Sequence, residues 1–237
     1  MMKERLTIVK VGGAVVEDEA QLSQLLKDFS AIPGKKVLVH GGGRKATKVA
    51  ESLGIESKMV NGRRITDADM LSVVTMVYGG LVNKNLVARL QANGVNALGL
   101  TGADMNVIRS HKRPLKDGID FGFVGDVDSA DGQMLSKLIE EGITPVMAPL
   151  THDGQGHILN TNADTIASET AKALASFYDV TPSSPSRKKV YSAILTMTTA
   201  SSPQSRARTL LNIRPTAPSV VVCSRRSRMP LQQSMLA

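Results

Sequence analysis

Cysteine and long apolar runs are scarce in this sequence of 237 residues. The single cysteine, Cys223, cannot form an internal disulfide, which fits a reducing compartment. No run approaches the roughly 18 apolar residues that a membrane-spanning helix needs, and the basic N terminus leads into only a short apolar stretch. We therefore predict a cytoplasmic protein without a signal peptide or a membrane span.

Acidic residues and glycines are absent from the last quarter of the chain. All 21 Asp and Glu residues lie at or before Asp179, whereas nine of the 29 Lys and Arg residues follow it. None of the 20 glycines but six of the ten prolines lie beyond residue 180. Residues 1–179 carry a formal charge of −1, so the nine cations of the tail account for the net charge of +8. This change in composition predicts a boundary near Thr181, between a folded lobe (1–180) and a basic Ser/Thr/Pro-rich tail (181–237).

Strands and helices alternate along the first 180 residues. Buried strands are predicted at residues 6–11, 36–40, 97–100 and 144–148, and helices at 20–29, 45–53, 67–93, 134–141 and 163–178. Such alternation is typical of the α/β class, here a three-layer α/β/α sandwich with a mostly parallel central sheet. A further strand is expected after Asp179, but no strand-helix alternation is recognisable beyond it.

Two glycine-rich turns follow predicted strands, where ligands bind in open parallel sheets. Lys10 precedes Gly12-Gly13, and His40 precedes Gly41-Gly42-Gly43. Glycine amides can approach a phosphate closely, and a lysine can neutralise a transferring phosphoryl group. A turn with a surface lysine is the alternative for the first segment. Neither turn is a Walker A loop or a dinucleotide fingerprint.

Two polar segments offer further candidates for a binding site. Arg63-Arg64 could present a guanidinium fork to a carboxylate, or could be a solvated charge pair. Asn160, Asn162 and Asp164 lie where a loop enters a helix, a position at which Asn or Asp often serves only as a helix cap. The histidines lack the spacing of metal ligands, and no metal is assigned to protein side chains.

Taken together, these segments resemble the acetylglutamate kinases of the amino-acid-kinase family over nearly all of residues 5–180. The matching motifs are Val9-Lys-Val-Gly-Gly13, Val39-His-Gly-Gly-Gly43, Asn61-Gly-Arg-Arg-Ile-Thr66, Val82-Asn-Lys84, Gly99-Leu-Thr-Gly102 and Leu159-Asn-Thr-Asn-Ala-Asp164. The resemblance implies the following roles: catalysis by Lys10 and Asp164, phosphate contact by Gly12 and Gly13, and substrate binding by Gly42, Gly43, Arg64 and Asn160.

The same resemblance implies a reaction and its partners. The γ-carboxylate of N-acetyl-L-glutamate would attack the γ-phosphate of ATP and form an acyl phosphate, a step of arginine biosynthesis. Mg²⁺ would be carried on the phosphates of ATP. The enzyme would be a homodimer built through the N-terminal lobe, with no nucleic acid or membrane as a partner.

The tail departs from the family pattern. The family continues with a strand and loop that hold the adenine nucleotide and with a Gly-Gly-Met-x-Pro-Lys segment that carries a second catalytic lysine, and this sequence has neither. Permitted codons for Ser219–Ala237, read from the third base of each codon, can encode Ser-Gly-Gly-Met-Leu-Pro-Lys. The same offset over Ser186–Ala193 can encode Glu-Lys-Lys-Gly-Val-Leu-Ser-Asp. We infer a single frameshift near Thr181, which predicts a disordered tail and impaired activity.

Two other functions stay open from the sequence. The first is a noncatalytic fragment that binds an acylglutamate. The second is a nucleic-acid-binding protein that uses the cations of the tail, although Tyr191 is the single aromatic residue there. Salt-dependent retention on DNA would distinguish the second from the others.

Overall fold

A five-stranded parallel sheet forms the centre of the computed structural model, which describes residues 3–115 and 117–183. The strands of this described part are β1 (Arg5–Val11), β2 (Lys35–His40), β3 (Met59–Val60), β4 (Arg63–Arg64), β5 (Ala97–Leu100), β6 (Ile108–Lys112), β7 (Gly125–Ala130), β8 (Thr144–Met147), β9 (Leu150–His152), β10 (Ile158–Asn160) and β11 (Asp179–Ser183). The α-helices are α1 (Gly13–Val16), α2 (Glu19–Ala31), α3 (Gly43–Ser52), α4 (Ala68–Val74), α5 (Asn83–Ala92), α6 (Gly132–Glu140) and α7 (Ala163–Leu174).

The central sheet is covered by helices on both faces. Its strand order is β11-β1-β2-β8-β5, and every neighbouring pair is parallel. Side chains alternate across β1, so Val9 and Val11 lie in one hydrophobic core. Leu6 and Ile8 lie in the other. The first core contains residues of α2 to α5, and the second contains residues of α6 and α7. The predicted three-layer α/β/α sandwich is therefore confirmed.

A second, smaller sheet and a hairpin complete the described chain. The second sheet has the order β10-β9-β6-β7 and is largely antiparallel. Strands β3 and β4 form a hairpin that turns through Asn61 and Gly62, both with positive φ (49° and 74°), as an Asn-Gly hairpin turn requires. Thr66, just after the hairpin, bridges to Gly122. The sequence analysis had predicted neither the second sheet nor the hairpin.

Helices α4 and α5 are continuous through a π-helical segment, Thr75–Val82. The whole helix, Ala68–Ala92, is the one described helix that could cross a membrane by length and composition, a test that buried core helices also pass. Apolar residues from both of its ends, including Met70, Val74 and Leu90, belong to the first core. Short π-helical insertions are often found at functional sites.

The final described strand extends past the predicted boundary of the lobe. A strand does follow at Asp179, as expected, and it runs through Ser183 beside β1, so Thr181 and Pro182 belong to the sheet and not to the tail. In the described chain β11 is an edge strand, where a proline is tolerated. The remainder of the predicted tail, residues 184–237, lies outside the described residues.

Candidate active site

Two glycine-rich turns lie side by side at the carboxyl ends of neighbouring strands. The register of β1 and β2 pairs Val11 with His40, so Gly12-Gly13 and Gly41–Gly43 both follow directly from the sheet. A side chain on Gly13 would lie 3.5 Å from the Gly43 nitrogen. The structure thus brings all four predicted glycines (Gly12, Gly13, Gly42 and Gly43) together at the edge of the sheet where ligands bind.

The carbonyls of the second turn are held by the protein, whereas two of its amides are free. The Gly41 carbonyl accepts from His40 Nδ1 (3.0 Å) and the Gly42 carbonyl from the Ala46 amide (3.0 Å). The Gly43 carbonyl accepts from Arg64 Nη2 (2.9 Å) and Thr47 Oγ1 (3.1 Å). Within residues 3–115 and 117–183, neither the Gly42 nor the Gly43 amide donates a hydrogen bond. These amides stand at the N terminus of α3, where free N–H groups and the helix dipole favour an anion.

Arg64 is a buried cation beside this turn. The residue is only 8% exposed, and its guanidinium donates to Gly43 O (2.9 Å), Thr47 Oγ1 (2.9 Å) and Ser57 Oγ (2.8 Å). None of the carboxylates in the described part of the chain pairs with it. Its neighbour Arg63 is exposed. The solvated-pair alternative is therefore wrong for Arg64. Three oxygen acceptors and the Met70 sulfur (3.7 Å) hold its terminal nitrogens in place and leave the Nε–H donor to spare.

Lys10 and Asp164 form an ion pair, although they are 154 residues apart in the sequence. Lys10 Nζ lies 2.9 Å from Asp164 Oδ1, and the side chains are 21% and 73% exposed. Asp164 is not the helix cap, because Asn162 takes that role and accepts from the amides of Asp164 (2.7 Å) and Thr165 (3.4 Å). The cap alternative thus applies to Asn162. The Asp164 carboxylate, in the first turn of α7, instead pairs with Lys10 near the end of β1.

Asn160 occupies a different place from the other predicted residues. Its side-chain amide donates to Thr66 Oγ1 (2.9 Å), and its backbone amide donates to Phe123 O (2.8 Å). Thr66 is fully buried and follows Arg64 by two residues. Asn160 therefore joins the second sheet to the hairpin that carries Arg64, and it does not contact the glycine turns directly in this structure.

Known proteins resemble this chain in sequence and in fold. The model of the amino acid kinase family matches residues 5–176. The chain belongs to that family. The acetylglutamate kinase of Bacteroides fragilis is 74% identical over 180 residues, 76% of this chain and 69% of that protein. The acetylglutamate kinase of Bacteroides thetaiotaomicron is 73% identical over 180 residues, 76% of this chain and 70% of that protein. The crystal structure of smu.665 from Streptococcus mutans superposes with a TM-score of 0.59 at 29% identity, over 72% of this chain and 69% of that one.

Two residues beside the second glycine turn or the preceding His40 of this amino acid kinase were not predicted as site residues. Tyr78 lies in the π-helical segment, and a side chain on Gly42 would come within 2.9 Å of its ring. Burial raises the pKa of Tyr78, and Arg64 partly opposes that shift, so the phenol is neutral. Asn83 lies one residue beyond the segment and donates to His40 Nε2 (3.1 Å). The motif Val82-Asn-Lys84 contained Asn83 but gave no sign of this contact.

Proposed function

We propose that this amino acid kinase phosphorylates the γ-carboxylate of N-acetyl-L-glutamate with ATP. The observation that carries the proposal is Arg64, a buried guanidinium that no described carboxylate neutralises, beside the free amides of Gly42 and Gly43. A buried charge is costly unless it is paired, so this arrangement favours a carboxylate ligand. The names of the most similar relatives support N-acetyl-L-glutamate as that ligand.

The proposed substrate has two carboxylates, and the site offers a separate group for each end of the reaction. Arg64 would hold the α-carboxylate, which does not react. The Gly42 and Gly43 amides would orient the substrate beside the first glycine turn, where Gly12 and Gly13 would contact phosphate. Lys10, oriented by Asp164, would stabilise the charge of the transferring phosphoryl group. A carboxylate is already a competent nucleophile, so alignment of two anions is the main task of the protein.

ATP is the proposed phosphoryl donor, and Mg²⁺ would accompany its phosphates. The described residues contain no group of three or more side chains that could hold a metal ion. The Asp164 carboxylate is moreover engaged by Lys10. The proposal is that Mg²⁺ is carried on the phosphates of ATP.

The proposal is tested by calorimetric titration of the full chain with N-acetyl-L-glutamate, with L-glutamine as the control ligand. We expect N-acetyl-L-glutamate to bind with a Kd in the millimolar range or below, and L-glutamine not to bind. Saturation by neither ligand would contradict the proposal. DNA retention that falls with salt, together with no acylglutamate binding, would support the nucleic-acid alternative.

The remaining features of the proposal concern assembly, location and the tail. We propose a cytoplasmic location. We also propose a homodimer through this lobe, which the exposed Met76 (54%) and Leu81 (44%) on one helix of the described chain support. Light scattering of the parent and of Leu81→Lys would test the dimer, which the substitution should weaken.

We also propose that residues beyond about Thr181 are translated out of frame, so that this chain retains binding of the acylglutamate but is impaired in catalysis. Sequencing of the coding DNA across codons 175–240 would decide that point.

A further inference from the structure

A buried chain of hydrogen bonds leads from strand β8 to the second glycine turn. The Asn83 side-chain nitrogen donates to the Val146 carbonyl (2.9 Å) and to His40 Nε2 (3.1 Å). The other ring nitrogen, His40 Nδ1, lies 3.0 Å from the Gly41 carbonyl. His40 is fully buried and Asn83 is 1% exposed. No step in the proposed reaction uses either side chain.

The chemistry of these groups fixes the proton on one imidazole nitrogen. A backbone carbonyl can only accept, so Val146 requires the nitrogen of the Asn83 amide and not its oxygen. That nitrogen then donates to His40 Nε2, which must be unprotonated. The single ring proton of the neutral imidazole is left on Nδ1, where it donates to the Gly41 carbonyl. Burial, partly opposed by the Gly41 contact, lowers the pKa of His40 to about 4, which agrees with a neutral ring.

Two features of the fold hold Asn83 in this orientation. Its side-chain oxygen lies where a side chain on residue 99 would project, so the amide fits only because that residue is Gly99. The π-helical segment just before Asn83 also matters. In an α-helix, residues five apart differ in direction by about 140°. The i→i+5 hydrogen bonding of a π-helix instead brings such residues onto one face, so that Tyr78 lies against Gly42 while Asn83 reaches His40.

We propose that His40 and Asn83 are positioning residues that aim the free Gly42 amide at the substrate; this inference rests on the proposed function. The carbonyl of Gly41 and the amide of Gly42 belong to one planar trans peptide, in which they point in opposite directions. A donor that holds the carbonyl therefore sets the direction of the amide. His40 holds that carbonyl only in the Nδ1–H tautomer, and Asn83 selects the tautomer.

The experiment compares four variants of the full chain by titration with N-acetyl-L-glutamate and by ¹⁵N NMR of the histidine ring. His40→Phe removes both ring contacts, and Asn83→Leu removes the donor to Nε2. His40→Asn keeps a donor near the position of Nδ1 and serves as the conservative rescue. Tyr178→Phe is the matched control, because it deletes a buried hydroxyl that donates to Glu140 Oε1 (2.6 Å) near the start of β11, away from the glycine turns.

We expect His40→Phe and Asn83→Leu to weaken binding roughly fivefold to tenfold, as the loss of an aligned hydrogen bond implies. His40→Asn should bind within about threefold of the parent, since one donor is retained. Tyr178→Phe should lower Tm without changing Kd. The parent should show His40 protonated on Nδ1, and Asn83→Leu should shift that signal and the Gly42 amide resonance.

Parent-like binding by His40→Phe together with a reduced Tm would contradict the positioning role and leave His40 a core residue. A ring protonated on Nε2 in the parent would contradict it as well. If the parent itself binds no acylglutamate, the proposed function fails. The NMR result alone then decides whether His40 orients the Gly42 amide or only packs in the core. An Asn83→Leu variant with unchanged ring and Gly42 signals would then overturn the inference.

Discussion

Substitution of Arg64 by lysine should remove recognition of the α-carboxylate while keeping the positive charge. The parent guanidinium donates three hydrogen bonds to neutral protein acceptors at 2.8–2.9 Å. A fourth N–H, on Nη1, faces the Met70 sulfur (3.7 Å), so of the five N–H donors of an arginine the one on Nε is left for a ligand. A lysine has three donors and no planar fork, and it cannot satisfy the same acceptors and the ligand together. The substitution therefore separates charge from geometry.

The expected change in Kd follows from the number of hydrogen bonds that the substitution removes. A hydrogen bond to a charged group contributes about 1.5–3 kcal/mol, so the loss of one should raise the Kd of N-acetyl-L-glutamate roughly 10- to 100-fold. In a catalytically competent version of the enzyme this would appear as a raised KM with a smaller change in kcat, because the contact exists in the ground state and the transition state alike.

The assay is calorimetric titration with two ligands, N-acetyl-L-glutamate and N-acetyl-4-aminobutyrate, which lacks the α-carboxylate. The parent should prefer the first ligand strongly, and Arg64→Lys should lose most of that preference. Arg63→Lys is the matched control, since Arg63 is exposed on the same hairpin and should leave both Kd values unchanged. Equal ligand preference in the parent and in Arg64→Lys would refute the assignment of the carboxylate to Arg64.

Three further outcomes are expected. In a version with its reading frame restored, Lys10→Met should lower kcat on the order of 10²–10³-fold. The control Lys48→Met, which breaks an exposed ion pair with Glu17, should leave kcat unchanged. A loss of kcat of only about threefold in Lys10→Met would exclude a catalytic role for Lys10. Because the pKa of His40 falls from 6.5 to about 4 on folding, the unfolded chain binds the proton first, and the free energy of unfolding should drop by about 3 kcal/mol as pH falls from 6.5 to 4. When unfolding is measured with urea, His40→Asn should lack that decrease in the free energy of unfolding. An equal decrease in the variant would contradict the assignment of the pH dependence to His40. The full chain should show no ATP turnover in a coupled assay with N-acetyl-L-glutamate, and kinase-like turnover would overturn the frameshift inference.

The layers of the fold were predictable because their signals are local. Runs such as Leu6–Val11 and the helical spacing of Ala20–Phe29 reflect burial on one sheet face or one helix face, which the sequence displays directly. The second sheet was not predictable in this way. Its strands β9 and β10 have three residues each, too few for a period, and Gly125 is needed only because Leu159, Thr151 and Thr161 approach it from distant segments.

The candidate site shows the same division between local and long-range signals. The sequence placed Asn162 and Asp164 within three positions of each other, at the start of a helix. It could not show which of the two caps the helix and which is available to pair with a lysine. The distinction depends on Lys10, which reaches Asp164 only after β1 and α7 pack together. Tyr78 and Asn83 carried still less signal, because the proximity of Tyr78 to Gly42 and the contact of Asn83 with His40 depend on a π-helical segment that apolar periodicity does not reveal.

Recognition of the carboxylate and transfer of the phosphoryl group should be separable in this chain. Arg64, the glycine turns and the Lys10–Asp164 pair all come from residues before the change in composition, and each is held by contacts within the described lobe. The second lysine that the family resemblance implies would have to come from the tail, where the sequence does not match. Because alignment of two anions makes up most of the proposed catalysis, loss of the nucleotide side should abolish turnover. The acylglutamate side should remain intact, since contacts within residues 3–183 hold Arg64, the second glycine turn and Lys10 in place.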